Sequence, residues 1–237
     1  MNTDLENYAH YKGIISRNSL FRDVKAEAVR QLMDCASIQI WPKKTCIPDP
    51  SHTLYTFYIL LSGKIKGFVF DDLSGRNITL FLLSKDDVFD VFTLEHGRIH
   101  NIRYETLSQS VVLSIPLHKL KEWIQANPVV TTALLKYTTE KMCALENYIS
   151  ELVMDDTSAR FARFLHNHMD AHSQRVPILN DLNYDDLGAL IGTTRTIIGR
   201  HFLQWREEGI LTHSKFETVI KSPEALRDKF LNKELNS

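Results

Sequence analysis

Arg195 and Arg200 stand five positions apart in the run Ile191-Gly192-Thr193-Thr194-Arg195-Thr196-Ile197-Ile198-Gly199-Arg200. A guanidinium keeps its charge at neutral pH and holds its donors in a rigid planar fork, so each arginine can clasp two acceptors on a flat partner. The O6 and N7 atoms of guanine form such a pair. The neighbouring threonines offer hydroxyl groups, and Gly199 would let a polymer backbone come close. Other chemistry has thinner support. His166, His168, Asp170 and His172 crowd together, and His168 with His172 should share a helix face at the i, i+4 spacing of a metal pair. Histidines at a helix end also interact favourably with the negative end of the helix dipole, so we expect no metal here. Cys35, Cys46 and Cys143 are an odd, widely spaced set, read as core thiols rather than a disulfide framework. The chain contains no phosphate-cradling glycine loop, zinc-protease pair or nucleophile elbow, and it is not expected to be an enzyme.

The elements around the two arginines can be read directly. Asn183 can cap a helix over Tyr184 to Ile191, whose Leu187, Leu190 and Ile191 form one apolar stripe; Gly192 breaks it. Thr194 then caps a second helix to about Glu208, with Gly209 placed to end it. Two short helices joined by a tight glycine turn form a helix-turn-helix. On the second helix Ile198, Phe202 and Trp205 should point inward, leaving Thr196, Gly199, Arg200 and Leu203 on the opposite side and Arg195 at the exposed start. The start of such a helix meets base edges in the major groove of DNA. Lys215 and Lys221 flank the strand-like Phe216 to Ile220 and would form a wing that touches phosphates. The expected DNA contacts are therefore Thr194, Arg195, Thr196, Ile197, Gly199, Arg200 and Lys215. Electrostatics add little to this reading: the net charge is -1, and Asp186, Glu207 and Glu208 nearly balance the local bases. A winged helix used for protein contact stays open as the alternative.

The rest of the 237 residues, 43% hydrophobic and 24% charged, suits a folded chain of two domains. A modest helical period runs from Leu20 to Ala36. Between Ser37 and Pro116, short runs rich in Ile, Val, Phe, Tyr and Thr alternate with turn formers, as in a sandwich or barrel. Asn127-Pro128 is placed to open a long helix. In it Leu135, Thr138, Met142, Leu145, Ile149 and Leu152 recur at alternating steps of three and four, a coiled-coil seam suited to a parallel homodimer. Asp155-Asp156-Thr157-Ser158 interrupts the seam and should be the hinge. Apolar runs fall far short of a membrane span, so no membrane partner and a cytoplasmic location are expected.

Trp41-Pro42-Lys43-Lys44, the run Phe57 to Gly63, Asn127-Pro128, Arg160 and Ile191 to Arg200, in this order, resemble the cAMP receptor protein and FNR family of bacterial transcription regulators. The likeness covers most of the chain. It implies an α+β fold: an N-terminal β-roll of the cyclic-nucleotide-binding jelly-roll type over 1–126, a dimerisation helix and hinge over 127–156, and a winged helix-turn-helix over 157–237. It also implies a homodimer on palindromic double-stranded DNA, with RNA polymerase as a partner. The family's recognition helix follows its first arginine with a glutamate, where this chain has Thr196. Threonine cannot accept from a cytosine amino group as a carboxylate does, so the usual TGTGA-like half-site should be altered. By the same likeness the effector pocket would draw on Phe89, Asp90, Val91, Arg103 and Leu145. Members that bind cyclic nucleotide have a Gly-Glu and an Arg-Ser pair there; Phe89-Asp90-Val91-Phe92 and His100-Asn101-Ile102-Arg103 stand in their place, which argues against cAMP. The chain lacks a compact N-terminal cysteine cluster for iron and sulfur. Haem on His96 or His100 stays open, the effector is unknown, and a signalling module that does not bind DNA is the alternative function.

Overall fold

Phe57-Tyr58-Ile59-Leu60-Leu61 is an apolar run without alternation, and the computed structural model shows why. The run lies in a strand buried on both faces. The structure describes residues 11, 13–16, 18–47, 50–89, 91–96, 98, 101–214 and 217–231. Its described elements begin with helix α1 (Ala26–Asp34) and strands β1 (Ser37–Trp41), β2 (Cys46–Ile47), β3 (Thr56–Ser62), β4 (Ile65–Asp71) and β5 (Arg76–Leu83). Then come α2 (Val91–His96), β6 (Arg103–Thr106), β7 (Ser110–Pro116), α3 (Leu117–Ala126) and the long α4 (Val129–Met154). Strands β1, β7 and β3 form one sheet in that order, and β2, β6, β4 and β5 form another.

Two different layers use the two faces of β3. Phe57, Ile59 and Leu61 join Leu113 and Ile115 of β7 in a core with Leu32 of α1, Leu120 and Trp123 of α3, and Val130 and Leu134 of α4. Tyr58 faces the other way, into an aromatic interior where it lies 5.4 Å from Trp41 and 5.6 Å from Phe89 between ring centroids. Side chains that alternate across a strand thus meet apolar neighbours on both sides, which removes the period-two signal. The start of α4 is tied to this layer: the Tyr137 hydroxyl accepts from the Val88 N–H and donates to Asp87, which also pairs with Lys141.

The chain divides into two compact units, one of Met1–Phe70 with Phe81–Ala144 and the other of Asp71–Leu80 with Leu145–Ser237. The second continues through α5 (Thr157–Asn167), α6 (Tyr184–Ile191), α7 (Arg195–Glu207), the hairpin β8 (Leu211–His213) and β9 (Thr218–Ile220), and α8 (Pro223–Leu231). Its core stacks Phe161 on Trp205 at 5.2 Å, with Phe202 edge-on to Phe161 at 5.1 Å. One expectation fails here. Helix α5 ends at Asn167 with His168 as its cap, and the Asp170 carboxylate accepts from the amides of His172 and Ser173 in a following turn. His168 and His172 therefore do not share a helix face. Among the described residues no helix is long and apolar enough to cross a membrane.

Candidate nucleic-acid interface

Local chemistry sets the two helices of the reading head. Asn183 accepts from the Asp186 N–H while Asp186 accepts from the Asn183 N–H, a reciprocal capping box that starts α6. Gly192 ends it in the left-handed region at φ +71°, where a Cβ would also lie 2.6 Å from Leu152 Cδ2. Thr194 then caps α7 by accepting from the Ile197 N–H. Gly188 allows the crossing of the two helices, since a Cβ there would come within 3.0 Å of the Thr193 carbonyl.

Behind the turn lies a buried cation that no side-chain pattern announces. Arg160, 8% exposed, donates to the carbonyls of Asp155, Ile191, Gly192 and Leu152. These groups lie at the C-terminal ends of α4 and α6, where helix carbonyls lack partners and the dipole favours positive charge. The Tyr148 hydroxyl adds a bond to the Leu190 carbonyl. The turn is thereby fastened to the last turns of α4.

Ile198, Phe202 and Trp205 are buried, as the phase of α7 predicts, while Thr194, Arg195, Thr196 and Arg200 are exposed and Ile197 and Gly199 are half-buried. Gly199 faces the Tyr184 ring, which a Cβ would meet at 3.6 Å. Arg200 makes no ion pair among the described residues, and Arg195 lies 3.7 Å from Asp185, both side chains being about 70% exposed. Both forks are accessible. Asp186 is buried in the capping box, and Glu208 is turned to Lys229 and Gln204, whose hydrogen bonds hold its carboxyl below the usual range. Lys215 and Phe216 lie outside the described residues.

His213 and Tyr184, which the sequence reading passes over, brace the wing against both helices. Phe202 stacks on both, 4.0 Å from the His213 ring and 5.4 Å from the Tyr184 ring, and those two rings lie 5.9 Å from each other. His213 Nε2 is 3.0 Å from the Tyr184 hydroxyl and Nδ1 is 2.7 Å from that of Thr218. Burial, and secondarily the charge of Arg206, hold His213 below the ordinary histidine range. An isolated histidine at the end of a three-residue strand carries no pattern that could have marked it.

The expected effector residues do not converge. Phe89 is fully buried, stacked on Tyr104 at 5.0 Å in the interior of the roll. Arg103, next to Tyr104 in β6, points to the opposite face, its guanidinium 5.1 Å over the Phe70 ring. Val91 opens α2 and packs against the core, Leu145 is partly exposed on α4, and Asp90 and His100 lie outside the described residues, as does the side chain of His96. Along the seam Leu135, Met142, Leu145 and Ile149 are exposed, and Thr138 donates back to the Leu134 carbonyl. Leu152 is half-buried at Gly192, while Val153 beside it is 72% exposed. No three of His, Cys, Asp or Glu gather as a metal site among the described residues.

A β-roll unit followed by a long helix and a winged helix-turn-helix with an accessible arginine tip defines a DNA-binding regulator. Residues 159–229 match the Crp-like helix-turn-helix domain. The global nitrogen regulator of a Synechocystis strain is 23% identical over 200 residues, covering 81% of this chain and 88% of that protein. The CRP-like cAMP-activated global transcriptional regulator of Mycobacterium tuberculosis is 20% identical over 218 residues, covering 90% and 96%. Among solved structures, the c-di-GMP responsive global regulator CLP of Xanthomonas campestris superposes with a TM-score of 0.71 at 18% identity, covering 83% of this chain and 99% of that one. Residues 159–229 thus form a Crp-like helix-turn-helix domain, and the chain as a whole is similar to transcription regulators of the CRP/FNR type.

Proposed function

We propose that this chain controls transcription as a homodimer on a palindromic operator, each protomer laying α7 in the major groove with Arg195 and Arg200 on base edges. The observation that carries the reading is the division of α7. Three buried anchors hold its back to the domain core while the capped tip, with both guanidinium groups accessible, faces outward. Thr194 and Thr196 contribute hydroxyl contacts, Ile197 and Gly199 line the same approach, and Lys215 reaches phosphate from the wing. Two such tips related by a dyad read half-sites about one helical turn apart. The dyad is supplied by the exposed stripe of Leu135, Met142, Leu145 and Ile149, a face that a second copy of the helix would cover. The dimer works in the cytoplasm, performs no catalysis, and meets RNA polymerase when bound at a promoter.

Selection of binding sites from random duplex DNA tests the reading. It should return a palindrome in which guanine is kept opposite an arginine but the pair next to it differs from that in TGTGA, because Thr196 cannot accept from cytosine. Recovery of an intact TGTGA palindrome overturns the specificity part, and failure to enrich any sequence overturns the whole. We further propose an effector other than cAMP, a reading supported by the divergence of Arg103, which lies over Phe70, from Phe89, which stacks on Tyr104. Micromolar binding of cyclic nucleotides in a calorimetric titration would contradict this.

A further inference from the structure

We propose that Asp185 is a specificity-determining residue: its carboxylate, set on the DNA-facing rim, holds Arg195 and repels backbone phosphate until a matching base edge takes the arginine. The inference rests on the reading of α7 as the recognition helix. Two acids open α6, and the structure gives them different work. Asp186 is 6% exposed and closes the capping box, so the helix start is already satisfied. Asp185 has no such task, and its Oδ2 atom lies 3.7 Å from Arg195 Nη1 with both groups largely in solvent. An exposed pair of this kind contributes little to folding. Its position matters more. In a helix-turn-helix the first helix crosses the sugar-phosphate backbone while the second enters the groove, so a carboxylate at the start of α6 beside the tip of α7 meets phosphate.

Asp185, Arg195, Asn180, Asn183, Ser214 and Glu217 line one crevice between α6 and the wing. Glu217 there is paired with Arg175 at 3.2 Å. A surface built only to hold DNA would have bases and hydroxyls along this rim; instead carboxylates are interleaved with them. Discrimination is a difference of two affinities and can be gained by weakening the wrong complex. On an unmatched duplex, Arg195 gains only a phosphate contact in place of Asp185, and the carboxylate is driven against the backbone. On a matched one, a two-point bond to guanine replaces the pair.

The test uses the full chain, the duplex recovered by selection and a scrambled duplex of equal length, with binding followed by fluorescence anisotropy over a salt series. Asp185→Asn should tighten binding to the scrambled duplex roughly fivefold with both protomers changed, and binding to the selected duplex by less, so that the ratio falls. Asp185→Lys should extend both trends. The ratio is independent of any loss of helix stability, which thermal melting reads separately. An unchanged or widened ratio in both variants overturns the proposal. Arg195→Ala distinguishes the two levels of the argument: if specific binding survives it, the reading of α7 itself fails; if specific binding collapses while the Asp185 variants leave the ratio unmoved, only the role of Asp185 fails.

Discussion

Arginine has two opposite roles in the second unit, and the difference lies in what surrounds each one. Arg160 is enclosed by carbonyl oxygens and its charge is spent on holding the end of α4 and the turn after α6. Replacing it with methionine keeps much of the volume but leaves several buried acceptors without a donor, so Arg160→Met should destabilise this unit by about 3 kcal/mol in urea denaturation. Arg160→Lys should recover only part of that, because a single ammonium cannot reach carbonyls from two segments at once. Arg200, by contrast, is exposed and holds nothing in place. Arg200→Ala should leave the melting temperature nearly unchanged and weaken binding to the matched duplex by roughly 1 to 3 kcal/mol, with relaxed preference at one base pair. The exposed arginines were legible in the sequence because their phase against Ile198, Phe202 and Trp205 decides which way they point. The work of Arg160 was not, because its partners are main-chain atoms up to 32 residues away and any residue type can supply them.

Among the elements, those with both a period and a cap were read correctly. The sequence predicts α6 over Tyr184 to Ile191 and an α7 starting at Arg195, and the structure has both, since a capping residue and a following glycine bound each apolar stripe. The spacing of His168 and His172 predicts a shared helix face, but α5 stops at Asn167 and the Asp170 side chain holds the amides of His172 and Ser173 in a competing turn. The wing was legible only as a strand-like run between lysines. Its attachment through Phe202, Tyr184 and His213 is an aromatic stack across three elements, and its consequence is a dependence on pH. His213 is held below the ordinary histidine range by burial among Tyr184, Phe202 and Thr218 and by the charge of Arg206, and His201 is likewise depressed by burial, with Asp156 opposing. Below about pH 6.5 the unfolded chain takes up protons that the folded unit resists. Stability is therefore full above that value and falls as the pH drops through the folded values. Denaturant midpoints followed by tryptophan fluorescence should decline between about pH 7 and 5, and His213→Gln should flatten part of that decline. An unchanged slope in the variant would remove His213 from the account.

At the scale of the molecule, the exposed stripe on the long helix is what leads us to propose that two protomers read DNA together. The order of strands, long helix and winged helix-turn-helix could be read from changes of period along the chain, but the interior of the roll could not. Phe89 and Arg103 looked like neighbours of one pocket, and alternation along β6 sends Arg103 away from the Tyr104 ring that Phe89 stacks on. The seam is a middle case: four of its six positions are exposed, whereas Thr138 is half-buried, Leu152 is turned onto Gly192 and Val153 is the exposed apolar residue at that end. A surface of Leu135, Met142, Leu145 and Ile149 that is open to water in one copy gains from burial only when a second helix covers it. Placing a carboxylate at two of these positions should thus act on association and not on the fold. The double variant Met142→Asp with Ile149→Asp should sediment as a monomer at concentrations where the parent is a dimer, and should still melt cooperatively but at a temperature that no longer rises with protein concentration, because neither side chain is packed within its own chain. Its affinity for a full palindrome should drop by about two orders of magnitude or more, while its weak binding to an isolated half-site is kept, since one α7 still presents Arg195 and Arg200 but the second contact must now be made from solution. A variant that remains a dimer, or a monomer that binds the palindrome undiminished, would move the dimer contact elsewhere on the molecule.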